Sequence, residues 1–234
     1  MSAAKVSGRL REFVNPEKRD FYPKFFRAGK GGYGEGDSFL GVVVPDQRKV
    51  AREFWDLSLE DGRKLLVSQW HEERLTALFI LVKQFEKGDL KDRKAIYELY
   101  FECLDQVNNW DLVDASAHVI VGGWHQDRSR RRLHQLADSP ILWRRRIAMI
   151  ATFHYIRQDD FDDAIAVAEK LVADPHDLIH KAVGWMLREI GKRDQEVEKA
   201  FLDRHAPHMP RTMLRYAIEK FPEKVRKEYL SRSH

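Results

Sequence analysis

The chain is poor in thiols: a single cysteine, Cys103, leaves no internal disulfide to form. No apolar run follows the opening Met-Ser-Ala-Ala-Lys, so a reducing cytoplasm is the expected location. Long hydrophobic runs are missing as well. Ile147 to Phe153 comes nearest to the roughly 18 apolar residues of a membrane span, and Arg146 and Arg157 bracket it. A soluble protein is expected. Strict alternation with β-branched residues is almost absent beyond Val42 to Val44, which argues against a sheet. Glycine clusters between Gly29 and Ser38, but that segment lacks the Gly-Lys-Ser/Thr ending of a phosphate-cradling loop and is read as a flexible connection.

What is present is helix nearly throughout. With 234 residues and 43% hydrophobic content the chain can bury a full core, as one large domain or one continuous solenoid. Asn15-Pro16-Glu17 reads as the start of the first helix, ending near Gly29. Further helices are expected to begin near Pro45, Ser58, Glu73, Lys91, Trp110, Ser129, Pro140, Phe161, Asp177, Gln195, Arg211 and Pro222. Grouped in pairs they return every thirty to forty-odd residues or so, about the period of HEAT-like helical hairpins. The expected fold is therefore an all-α, HEAT-like helical-repeat solenoid with a concave basic surface, one domain over residues 1–234, working as a monomer.

Net charge is only +4, but it is uneven: seven arginines lie between Arg128 and Arg146 against one acid, Asp138. Arginine suits bidentate contact with phosphate oxygens, so a polyanion is the favoured partner over the plainer reading of a solvated charged face. In a helix Trp110 and Asp114 share a face, and Asp111 is turned away from them. Asn108-Asn109 offers an N-cap just upstream. Taken alone, such a pair reads as a partly buried tryptophan with a solvent-facing aspartate. Together with Arg146 and Trp185 it supplies the parts needed to cleave a glycosidic bond to an already cationic base. These are a carboxylate against developing oxocarbenium charge, aromatic faces that tolerate positive charge, and a cation for a backbone phosphate.

Other schemes fit less well. His176 and His180 have the spacing of a zinc-protease helix, but an aspartate stands where the glutamate is needed and no third ligand is evident, so no metal and no cofactor are expected. Asp177 reads as the cap of the helix carrying Lys181 and Trp185. Cys103 lies in an apolar helical stretch and reads as core, Trp124 as structural, and no nucleophile-elbow pattern occurs.

On these residues the chain resembles the AlkD-like DNA alkylation repair family, HEAT-like repeat DNA glycosylases, over nearly its whole length. The marks are Phe39-Leu40-Gly41 with Pro45-Asp46-Gln47-Arg48, Trp70 with Glu73 and Ala77, and Trp110-Asp111-Leu112-Val113-Asp114. Trp143 with Arg146 and the run Lys181-Ala182-Val183-Gly184-Trp185-Met186-Leu187-Arg188-Glu189 complete them. The resemblance implies excision of positively charged N3- and N7-alkylated purines from duplex DNA, without capture of the base in a deep pocket. It implies Asp114 as the catalytic aspartate, Trp110 and Trp185 as the active-site tryptophans and Arg146 as the phosphate-binding arginine. Arg144 and Arg145, beside it, would strengthen backbone contact, and Trp143 and Lys181 join the expected DNA-binding set. The aromatic that approaches DNA from the first helix falls near Phe26, where the phenolic hydroxyl is missing. Two other classes compete: a catalytically silent helical-repeat binder of bent or branched DNA, which would not need Asp114, and a protein scaffold, which would not need clustered arginines.

Overall fold

The computed structural model describes residues 1–232. The fold is all-α: among the described residues no strand forms, and Ser38 and Trp70 make an isolated bridge. No helix among them is long and apolar enough to cross a membrane. The chain divides into two compact units, Met1–Ile120 and Val121–His234.

The first unit holds α1 (Ala3–Arg11), α2 (Pro16–Phe25), α3 (Val44–Glu53), α4 (Leu59–Leu66), α5 (His71–Lys87), α6 (Leu90–Glu102) and α7 (Trp110–Ala117), the last running into a π-helical turn, His118–Gly122. Its axis is α5, buried from His71 through Leu81 and packed on α3, α4, α6 and α7. The starts follow local chemistry. Asn15 caps α2 by accepting from the Lys18 N–H at 3.1 Å, with Pro16 in the first turn; Ser58 accepts from Asp61 N–H, and Asp89 with Asp92 forms a capping box on α6.

Three readings of the sequence are corrected here. The first helix is α1, which buries Val6 and Leu10 and is tied down by Arg9 to Glu53 at 2.8 Å and Arg11 to Glu73 at 2.8 Å. Next, α2 stops at Phe25 rather than near Gly29, because Arg27 takes φ 48°, the left-handed conformation that ends helices. The glycine-rich segment, finally, is folded into hydrogen-bonded turns, with Gly32 N–H on Gly29 O, Gly34 N–H on Arg27 O and Gly31 N–H on the Glu35 carboxylate.

The second unit holds α8 (Arg131–Ala137), α9 (Leu142–Ala151), α10 (Phe153–Ile156), α11 (Asp162–Leu171), α12 (Asp177–Gly191), α13 (Gln195–His205), α14 (Arg211–Ala217) and α15 (Glu223–Arg232). Here α12 is central, packed on α9, α11, α13 and α14. Gly184 permits its approach to α14: a Cβ there would lie 2.4 Å from the Met213 carbonyl oxygen and 2.5 Å from Tyr216 Cβ. Gly184→Ala is therefore expected to destabilise the protein by about 2–3 kcal/mol in urea unfolding; a change under about 0.5 kcal/mol would mean that α14 shifts freely.

At the other end of α12, Glu198 of α13 is buried, its Oε1 without a hydrogen-bond partner. Burial pushes its carboxyl up to about 8, only partly offset by the charge of Arg188. From the ordinary 4.5 to about 8 the native state holds a proton that the unfolded chain has released, so this group's contribution to stability falls as pH rises through that window. Glu198→Gln should flatten the decline and leave the protein more stable than the native form at about pH 9, as read by urea titration; equal stabilities there would contradict the burial of an ionised carboxylate.

Candidate functional site

In the first unit the site grows from the start of α7. Asn109 caps it, its side-chain oxygen accepting the Trp110 N–H at 2.9 Å. This sets Trp110 in the first turn and Asp114 one turn on, both half-buried, on one face as the spacing predicts. Trp110 stacks on Phe26 with centroids 5.6 Å apart and meets Phe25 edge-on at 6.0 Å. Phe26, the expected DNA-approaching aromatic, is 6% exposed and lies between Trp110 and Phe39, so it supports the tryptophan rather than facing solvent. The exposed rings of α2 are Phe21 at 49% and Phe25 at 47%.

Beneath Asp114 the helix is fixed from the core. Ser116 Oγ donates to the Leu112 carbonyl at 2.6 Å and lies 3.2 Å from the buried Tyr100 hydroxyl. Burial first, and then the nearby negative charge of Asp114, hold that phenol protonated well beyond its ordinary range. Half-buried and one turn into α7, the Asp114 carboxylate can face a cation arriving from solvent.

Sequence reasoning missed the polar cluster behind Trp110. The turns of the glycine-rich segment deliver Asp37 to the start of α5, where it meets His71 Nδ1 at 3.0 Å, Arg74 at 2.5 Å and Asn109 Nδ2 at 3.3 Å. His71 Nε2 reaches Asp111 at 2.8 Å, and Arg74 reaches Asn108 at 3.3 Å. Burial works against the Asp37 charge, but hydrogen bonds from His71 and the charge of Arg74 lower its pKa overall. Glu72 closes the other side by accepting the backbone N–H groups of Leu40, Gly41 and Val42 at 2.9, 2.7 and 3.2 Å. Gly41 has φ 88°, and a Cβ on it would lie 2.4 Å from the Asn15 carbonyl oxygen, so glycine is required where this strip passes the start of α2.

In the second unit Trp185 lies half-buried on α12, its Nε1 donating to Glu189 at 3.1 Å and its ring 6.0 Å from Phe153. Lys181, one turn earlier, pairs with Asp177 at 2.7 Å. The cap of α12 is not Asp177 but His176, whose Nδ1 accepts the Leu178 N–H at 3.1 Å. His180 Nε2 contacts the Asp174 carbonyl oxygen, so the two histidines serve the helix start. Among the described residues no group of three or more His, Cys, Asp or Glu side chains is arranged to hold a metal ion.

The arginine-rich stretch is more internal than its sequence implies. Arg146 is 4% exposed and donates to the Leu178 carbonyl, holding α9 to the first turn of α12. Arg145 binds Asp174 at 2.6 Å and the carbonyls of Ser139 and Pro140 at 2.9 Å each. Arg130 bridges Asp160 and Asp163 at 2.7 and 2.8 Å. Arg144 and Trp143 are half-buried, whereas Arg128, Arg131 and Arg132 are exposed; Arg128 lies over the Trp124 ring at 3.9 Å. Arg146→Ala should cost about 2–3 kcal/mol of stability in urea unfolding, through loss of packing and an unpaired buried carbonyl. An unchanged midpoint would show that the guanidinium is dispensable to the core.

A family model described as DNA alkylation repair enzyme matches residues 6–221, and the chain belongs to that family. Among solved structures it is similar to one described as a predicted DNA alkylation repair enzyme from Enterococcus faecalis. That likeness has a TM-score of 0.67 and 15% sequence identity, and covers 90% of this chain and 97% of that one. At that identity the likeness shows the shared all-α fold. No curated protein matches the sequence.

Proposed function

We propose that this protein is a monofunctional DNA glycosylase. It hydrolyses the N-glycosidic bond of positively charged N3- and N7-alkylated purines in duplex DNA, leaves an abasic site, and does not capture the base in a deep pocket. The observation that carries this reading is the pairing of Trp110 and Asp114 on one partly open face of α7 in a chain of the DNA alkylation repair family.

The chemistry asks little of the protein because the alkylated base is already cationic. As the glycosidic bond breaks, its electron pair returns to the purine nitrogen and discharges the ring, while positive charge grows on the deoxyribose. Asp114 stabilises that charge and orients a water, whose oxygen bonds to the sugar carbon and whose proton passes to the carboxylate. Trp110 and Trp185 present aromatic faces to cationic character. Lys181, Trp143 and Arg144 are assigned to contact with the phosphate backbone, which fixes register without reading sequence, while Arg145 and Arg146, held by Asp174 and the Leu178 carbonyl, brace the start of α9 that carries Trp143 and Arg144. In this reading the protein acts as a monomer in the cytoplasm, with no metal or cofactor. The direct test is the appearance of free purine and abasic sites in alkylated duplex DNA. DNA binding without either product would favour a silent binder.

A further inference from the structure

His71 carries an inference that the proposed reaction does not use. It is the first residue of α5, its side chain is buried, and both ring nitrogens face carboxylate oxygens, Nδ1 toward Asp37 and Nε2 toward Asp111. A neutral imidazole has one N–H and could donate to only one of them; two carboxylate partners need both N–H groups, hence the imidazolium. Burial opposes that charge, but the charge of Asp111 and hydrogen bonds to both aspartates outweigh it and raise the group to about 9.

The charged groups near the ring are three carboxylates, which favour the imidazolium, and one guanidinium, which opposes it. Asp37 comes from the glycine-rich turns, Arg74 and Glu72 from α5 itself, and Asp111 from α7, while Tyr22 of α2 feels the charges of Glu72 and Asp111. Asp37 is shared with Arg74 and Asn109, so it keeps partners whatever His71 does. Asp111 depends on His71 more closely, its other oxygen accepting the Leu112 N–H at 2.9 Å inside the same helical turn. The ring also packs 4.7 Å from Phe26 and 5.1 Å from Phe39, in the stack that supports Trp110.

We propose that His71 is a positioning residue: clamped between Asp37 and Asp111, it fixes the first turn of α7, and with it the direction in which Trp110 and Asp114 face, without touching the substrate. The inference rests on the reading of α7 as the reacting surface. Its physical content is that displacing a reacting group by a fraction of an ångström to one ångström slows chemistry about tenfold to a hundredfold while leaving the bulk of binding intact.

The test compares the native protein with His71→Gln, Asp111→Asn and the double variant, all ¹⁵N-labelled. Single-turnover base release from duplex DNA containing N7-methylguanine, affinity for the same duplex, the Trp110 indole N–H resonance (assigned with Trp110→Phe) and the His71 ring N–H resonances are measured. Each single variant is expected to slow release about tenfold or more, with affinity changed by no more than about threefold. The double variant should be no slower than the slower single one, because both act through one contact. Both variants should move the Trp110 resonance, and the native His71 ring should show two N–H groups at neutral pH and titrate near 9. Multiplying losses in the double variant, rates within about twofold of native, or a single N–H on the native ring would overturn the proposal. Should the native protein release no base, it is the glycosylase reading that fails. The resonances then decide on their own: an unmoved Trp110 signal in Asp111→Asn overturns the positioning role and a moved one supports it. Asp111→Asn carries the comparison if His71→Gln does not fold, since it keeps an acceptor for Leu112.

Discussion

Replacing Asp114 by asparagine is expected to slow base release by about a hundredfold or more while leaving affinity for duplex DNA nearly unchanged. The two side chains have almost the same shape, so the anchoring of α7 by Asn109, Asp111 and Ser116 should survive the change. What is lost is the full negative charge opposed to the oxocarbenium ion and the base that takes up the proton of water. Removal of a single group of this electrostatic kind typically slows a reaction by about a hundredfold to a thousandfold. The variant should therefore bind alkylated duplex in a gel shift and accumulate little free purine in the same samples. Release at close to the native rate would mean that the carboxylate is not the oxocarbenium partner.

Glu72→Ala should cause the largest loss of stability among the changes considered. Its buried carboxylate accepts three consecutive backbone N–H groups, those of Leu40, Gly41 and Val42, and so holds the strip that leads from the glycine-rich turns into α3. Removing it strands three donors away from water, each at a cost of roughly 1–3 kcal/mol. Relaxation recovers part of this, leaving a loss of about 3–5 kcal/mol, a large fraction of the stability of an ordinary domain. Urea denaturation should show a sharply lowered midpoint with an unchanged slope. A loss below about 1 kcal/mol would show that the strip is held by the packing of Phe39, Leu40 and Val42 alone.

Much of the helical framework was legible because its cues are local. Asn15-Pro16, Ser58, Trp110, Asp177, Gln195 and Arg211 mark helix starts that the structure places within a residue. Helix α1 escaped notice because it buries only two residues, Val6 and Leu10, and its hold on the fold comes from Glu53 and Glu73, far along the chain. The same distance hid the cluster behind Trp110: Asp37 and His71 are 34 residues apart, and His71 and Asp111 are 40. A glycine-rich stretch read as flexible turned out to be the carrier of a buried aspartate, and nothing in its composition reveals the partner that orders it.

The basic stretch teaches the converse. Along the sequence Arg128 to Arg146 reads as an excess of positive charge, but Asp160, Asp163 and Asp174 come back in space to neutralise Arg130 and Arg145, and Arg146 turns into the core. Charge counted along a chain overstates charge presented to a ligand whenever the following helices supply acids. The Trp110–Asp114 pair survived the passage to three dimensions because its geometry is set within one helical turn.

Base excision is read without intermediaries by incubating the native protein with duplex DNA carrying N7-methylguanine, N3-methyladenine or a bulkier cationic N7 adduct, and separating the products. Free alkylated purine together with an abasic site in an otherwise intact strand is the predicted result. Bound DNA with every lesion still attached, for all three substrates, would contradict it.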